Sequence, residues 1–234
     1  MNKNIFDNTD PEMSGIITEF IKEVSDKNKN LTDKEKTLIK IVALVAQKSK
    51  SLLKWTVLEA LKKHEASPVE IREAVYHCAP YAGMPGTVDA LSVVNEAFDE
   101  MGINMPIENQ VTVKTQKERF DSGLKAQTDI FGDGMRKAAE GGPDNMDLSS
   151  YYLVTNCFGD YYTRNGLDLK TREALTLAIL VNLGTEPQMK GHIAGNLNMG
   201  RSGEFISELI YQCLPYCGYP RMLNAQNCLK EVLK

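Results

Sequence analysis

Two stretches decide how this chain folds: Tyr76-His-Cys-Ala-Pro-Tyr-Ala-Gly-Met-Pro85 and Tyr211-Gln-Cys-Leu-Pro-Tyr-Cys-Gly-Tyr-Pro220. They lie 135 residues apart and share Tyr, Cys, Pro, Tyr, Gly and Pro in the same order. A repeat of this length marks a fused duplication, each copy being a unit that needs a neighbour to bury its apolar faces. The likeness extends upstream, where Leu31-Thr-Asp-Lys-Glu-Lys36 matches Leu167-Asp-Leu-Lys-Thr-Arg172 at an offset of 136. Ile41-Val-Ala-Leu-Val45 falls in the same way on Leu177-Ala-Ile-Leu-Val181. The offset drops by one after His64, in a connection between two helices, where a change of length is tolerated.

The apolar spacing predicts helices throughout. Met13, Ile16, Ile17, Phe20, Ile21 and Val24 recur at helical intervals. Residues 33–47 are apolar enough to be buried on most sides, and residues 51–63 are amphipathic. Ser67-Pro68 reads as an N-cap followed by Pro at the first helical position, opening a helix to residue 79. Further helices are expected over 87–101 and 115–131, with loops at Gly132-Asp-Gly134 and Gly141-Gly-Pro143, and the order recurs over 148–233. In each signature, Pro80 or Pro215 interrupts the hydrogen-bond ladder, and Gly83 or Gly218 permits a tight bend. Pro85 or Pro220 then starts the next helix. The expected fold is all-α, a helical bundle of two fused repeats: residues 1–110, a connection over 111–147, and residues 148–234.

Composition excludes several function classes. The net charge of −4 gives no basic stripe for nucleic acid. No apolar run approaches the roughly 20 residues that span a bilayer. Residues 1–7 lack the apolar core of a signal peptide, and the expected location is the cytoplasm. Five cysteines outside a secretory context do not suggest a disulfide framework. Cys78 and Cys213 are equivalent positions and read as buried core residues. Cys213-x3-Cys217 has no nearby His or second pair to make a metal site, so no metal is expected.

These motifs resemble the carboxymuconolactone decarboxylase family, which includes AhpD-like alkylhydroperoxidases. The residues that carry the likeness are Leu167-Asp-Leu-Lys-Thr-Arg-Glu-Ala-Leu-Thr-Leu-Ala178, Glu186-Pro-Gln-Met-Lys-Gly-His192 and Tyr216-Cys-Gly-Tyr-Pro220, with Phe158-Gly-Asp-Tyr-Tyr-Thr-Arg164 before them. The peroxidase branch uses Glu-x11-Cys-x2-Cys-x3-His. On this chain that frame reads Glu173, Thr185, Gln188 and His192, so the acid and the base are kept and both thiols are lost. In the first repeat it reads Thr37, Ser49, Leu52 and Thr56. The resemblance therefore implies one active site, in the second repeat, with the first as a structural partner.

What the resemblance implies chemically is a cofactor-free decarboxylation of a small carboxylated lactone or related acid. His192 would shuttle the proton, since its ordinary pKa of about 6.5 lies near working pH, and Glu173 would orient it. Arg164, Arg172, Lys190 and Arg201 are the candidate anchors for substrate carboxylates. His64 and His77 match no frame and read as structural. Two other readings stand beside this one: an AhpD-like thiol peroxidase, and a binding or assembly protein without chemistry. A homo-oligomer, with a trimer favoured, is also implied by the resemblance.

Overall fold

The computed structural model describes residues 8–234. The reading of residues 1–7 lies outside them. Among the described residues the chain is helical, with no strand. The first repeat comprises α1 (Pro11–Lys27), α2 (Asp33–Ala46), α3 (Lys50–Lys62), α4 (Pro68–His77), α5 (Ala79–Ala82) and α6 (Met84–Glu100). The connection holds α7 (Gln116–Phe131) and the short α8 (Gly134–Ala138). The second repeat comprises α9 (Leu148–Tyr152), a π-helical segment (Leu153–Tyr162), α10 (Leu169–Leu183), α11 (Glu186–Asn198) and α12 (Gly203–Val232).

The duplication is visible in how helices begin and end. Thr32 caps α2 through a reciprocal box with Glu35, and its counterpart Asp168 caps α10 by accepting from the Thr171 N–H at 2.6 Å. Ser67 caps α4 in a box with Glu70, and Ser202 caps α12 by accepting from the Phe205 N–H. Such caps satisfy amide donors that the helix cannot reach. After the helices, α10 ends on Gly184 (φ 78°) and α11 on Gly200 (φ 76°), both left-handed. Their counterparts are Lys48 (φ 58°) and His64 (φ 55°). The first repeat thus keeps a turn suited to glycine while using residues with a Cβ.

The signatures behave as connectors. Gly83 has φ 86° and separates α5 from α6, while Gly218 (φ 75°) kinks α12 at the same place. The Cys78 and Cys213 side chains are fully enclosed. The two repeats share one core: Leu38, Ile41 and Val42 of α2 pack with Leu177, Ile179 and Val181 of α10, and α12 leans on both helices. Burying each such side chain stabilises the fold by about 1.5–3 kcal/mol.

The π-helical segment is the main departure from the repeat. Its first-repeat counterpart α1 is an ordinary α-helix. Turns of this kind rarely run beyond one and gather at functional places. Here α7 crosses the segment at Gly123 and Gly159. A Cβ at Gly159 would stand 2.5 Å from the Arg119 carbonyl oxygen, and one at Gly123 would collide with that of Val154. The crossing is clamped by Arg119, which grips Asp160 through Nε (2.7 Å) and Nη2 (2.5 Å). A small second core forms there from Ala126, Ile130, Cys157, Phe158 and Tyr162.

Candidate active site

Two positions picked out by the family frame meet in space. Glu173 lies in the second turn of α10 and His192 in the middle of α11, and His192 Nδ1 is 2.7 Å from Glu173 Oε1. The Glu173 side chain is fully buried; that of His192 is 13% exposed. Asn196 ties the helices together, donating from Nδ2 to the backbone carbonyls of Glu173 (3.1 Å) and His192 (2.8 Å). Phe131 and Tyr81 stand nearly perpendicular to the imidazole, with ring centroids at 5.4 and 6.1 Å. Gly191, beside His192, is exposed, and a Cβ there would meet nothing within 4 Å. The imidazole is thus flanked by the Phe131 and Tyr81 rings and keeps a small part of its surface exposed.

Glu173 is the acceptor at the end of a hydrogen-bond network. Tyr162 Oη donates to Glu173 Oε2 at 3.1 Å. Tyr162 Oη is also 2.8 Å from Tyr81 Oη and 2.5 Å from Thr176 Oγ1. Cys157 Sγ donates to Tyr81 Oη at 3.6 Å. Burial raises the Glu173 carboxyl above the usual carboxylate range, and His192 and the Tyr162 bond work against that rise. Burial holds both Tyr81 and Tyr162 well above the ordinary phenol value, so both remain donors. With Nδ1 engaged by a carboxylate, the imidazole presents Nε2 as its working atom.

The candidate cations fall elsewhere, and each has a carboxylate partner. Arg164 holds Glu73 with Nε (2.8 Å) and Nη2 (2.9 Å) and lies over the Tyr76 ring. Arg172 is wholly enclosed, with Nη2 on Glu73 and on the carbonyls of Arg164 and Asn165. It has no surface to offer a substrate, and its role is to knit the repeats through Glu73. Lys190 pairs with Glu231 at the surface. Arg201 pairs with Glu35 at 2.8 Å and covers Phe205. Of the four, Arg164 lines a cavity of about 450 Å³ with Tyr76, Met84, Val88, Tyr161 and the carboxylate of Asp160. Its Nη1 has no partner among the described residues.

Sequence reasoning missed Tyr81, Tyr162 and Thr176, and it took His77 as a structural residue. His77 is fully buried, as a core residue would be, yet its Nε2 is 2.8 Å from Thr176 Oγ1. The first repeat therefore supplies part of the site. The available signal was the signature itself, where His77 and Tyr81 stand four residues apart on one side of α4–α5.

The frame positions that would carry thiols hold Thr185, the N-cap residue of α11, and the exposed Gln188. Burial pushes the Cys157 thiol up to about 12 and Cys217 up to about 11. It raises the Cys78 and Cys213 thiols as well. Thiols so placed stay protonated near neutral pH and make poor nucleophiles. No described helix is long and apolar enough to cross a membrane.

The chain is similar to the 4-carboxymuconolactone decarboxylase of Acinetobacter baylyi, 29% identical over 120 residues, which is 50% of this chain and 89% of that protein. It is similar also to the nitrosuccinic acid decarboxylase npaB of Metarhizium robertsii, 28% identical over 107 residues, or 45% of this chain and 75% of that one. One such relative thus spans about half of this chain. The carboxymuconolactone decarboxylase family matches twice, over residues 11–96 and 150–231, and the chain belongs to that family as a member with two tandem repeats.

Proposed function

We propose that the protein is a cofactor-free decarboxylase of a small carboxylated substrate, a lactone or related acid, working at His192. The observation that carries the reading is the buried Glu173–His192 pair, 2.7 Å apart, with the imidazole partly open to solvent. Loss of carbon dioxide leaves an electron pair on the substrate carbon. Conjugation with an adjacent carbonyl or nitro group spreads that charge. His192, protonated on both nitrogens beside the Glu173 carboxylate, delivers the Nε2 proton to the carbon and regains one from solvent. Glu173 fixes the ring and stabilises its charged form, as a buried carboxylate does for a catalytic imidazole. Both named relatives act on acids that lose a carboxyl group.

No carboxylate anchor is assigned among the four cations: the cavity that Arg164 lines includes Asp160 and none of Glu173, His192, Tyr81 and Tyr162. Arg172 serves the fold, and Lys190 and Arg201 are committed to Glu231 and Glu35. A thiol peroxidase is disfavoured by Thr185 and Gln188 and by the protonated thiols. We also propose a cytoplasmic homo-oligomer, a trimer by preference. Support comes from Met84 and Val88, exposed on α6, and from their repeat counterparts Tyr219 and Leu223 on α12. Light scattering that returns a monomer removes the trimer.

The test is an ultraviolet assay with 4-carboxymuconolactone and with nitrosuccinate, run on wild type and His192→Ala. Turnover of either by wild type, lost by at least about 100-fold in a folded His192→Ala, is the expected result. Equal turnover by the two proteins sinks the role of His192. No turnover of any carboxylated lactone or nitro acid leaves the assembly or binding reading.

A further inference from the structure

The first repeat has lost both residues of the reacting pair, with Thr37 and Thr56 standing where the second has Glu173 and His192. Its signature nevertheless turns into the other repeat's site. His77 and Tyr81 reach Thr176 and Tyr162, both at 2.8 Å. The second signature crosses in the opposite sense, for Gln212, the counterpart of His77, accepts from Asn28 Nδ2 of the first repeat at 2.9 Å. Each signature is thus a bridge to the opposite copy.

With Glu173 ionised, the hydrogen-bond directions along the bridge follow one from the next. Tyr162 has one hydroxyl hydrogen, which goes to the carboxylate oxygen Glu173 Oε2. Tyr162 Oη can then only accept from its two other neighbours, so Tyr81 and Thr176 both donate to it. Thr176 has spent its hydrogen and can only accept from His77. His77 must carry its proton on Nε2, which leaves Nδ1 bare. Nδ1 is enclosed and has no partner, a situation milder for a lone pair than for an N–H.

We propose that His77 is a positioning residue for the Glu173–His192 pair: its Nε2–H holds the Thr176 hydroxyl in the orientation that makes Tyr162 donate to Glu173. The proposal rests on the reading of that pair as the reacting one. The groups around His77 are the rings of Tyr81 of α5 and Tyr162 of the π-helical segment, the Thr176 hydroxyl of α10, and the charged or titratable Arg172 of α10 and His192 of α11, with a hydrogen bond to the Arg172 backbone besides. Burial, then the Arg172 guanidinium, keeps the imidazole well below its usual pKa and therefore neutral. A neutral ring with one defined tautomer is what the bridge requires. Reversing that tautomer would reverse each donor back to Glu173.

The chain has three histidines, so long-range proton–nitrogen NMR on the whole protein resolves each imidazole without any substrate. His64→Gly and His192→Gln assign the signals. The expected spectrum has His77 protonated on Nε2, bare on Nδ1 and unchanged between about pH 5.5 and 8. His77→Leu is expected to shift the His192 Nδ1 and Nε2 resonances, because Glu173 loses the Tyr162 hydrogen bond. His77→Gln, which offers an amide N–H near the same point, is expected to restore them. An Nδ1–H tautomer at His77, or a folded His77→Leu that leaves His192 unmoved, overturns the proposal. If His77→Leu does not fold, the tautomer in wild type and the His77→Gln spectrum still decide. A protein that gives this spectrum and decarboxylates nothing upholds the positioning role and defeats only the substrate reading.

Discussion

Gly195 is pressed against Glu173: a Cβ at position 195 would stand 2.6 Å from Glu173 Oε1, 2.8 Å from Ile130 Cγ2 and 3.0 Å from Phe131 Cε1. Its backbone is ordinary α-helix, so the requirement is for space. Gly195→Ala should displace the carboxylate from His192 while keeping the fold. We expect a loss of about 1–3 kcal/mol in stability from overpacking and a larger proportional loss of turnover. Urea unfolding together with the decarboxylation assay checks both. Full activity in Gly195→Ala would mean that the 2.7 Å pair is not needed.

The inter-repeat ion cluster makes a separate prediction. Glu73 and Arg172 are fully enclosed, and Glu73 also receives Arg164. Removing the carboxylate strands a buried guanidinium. Glu73→Gln should destabilise the chain by about 3–5 kcal/mol, read as a fall in urea midpoint. Replacing Glu73, Arg164 and Arg172 together by Leu, Met and Met should recover much of that loss, since a well-packed apolar cluster avoids desolvating all three charges.

His64 adopts φ 55° where the second repeat has Gly200 at φ 76°. His64→Gly should stabilise the protein by about 1 kcal/mol, the typical relief of a Cβ in the left-handed region. Lys48→Gly should behave alike, as Gly184 stands at its equivalent. Thermal melts of the two single variants and the double variant check this, with near-additivity expected for separate sites.

The raised carboxyl of Glu173 gives a pH dependence of known sign. A group with a folded pKa above its unfolded value contributes stability that is fully present below the unfolded value. That contribution is lost as pH rises through the folded one. Wild type should therefore lose stability relative to Glu173→Gln on going from about pH 4 upward towards neutrality. Denaturation of both proteins at several pH values measures the difference. A difference independent of pH would show that Glu173 is not held above its ordinary range.

Much of the fold was readable because duplication writes each local signal twice. The cap at Ser67 and the bends at Gly83 and Gly218 are short-range signals, and the two signatures check each other. Glu173 and His192 were readable through the family frame. The partners of the four cations were not, since Glu73 lies 91 residues from Arg164 and 99 from Arg172. Tyr162 was hidden for a different reason. It sits at the end of a π-helical segment, whose inward faces follow neither the 3.6-residue nor the 2-residue period. His77 was hidden because its partner Thr176 belongs to the other copy.

The crossing of signatures has a consequence for how the site withstands dilution. His77 and Tyr81 reach Thr176 and Tyr162 within one covalent chain, so joining the halves is an intramolecular event with a high effective concentration. The site's hydrogen-bond network does not depend on an encounter between separate molecules. Tethering also permits specialisation: one copy can shed its acid and base, as Thr37 and Thr56 record, provided that it goes on lending its signature to the other.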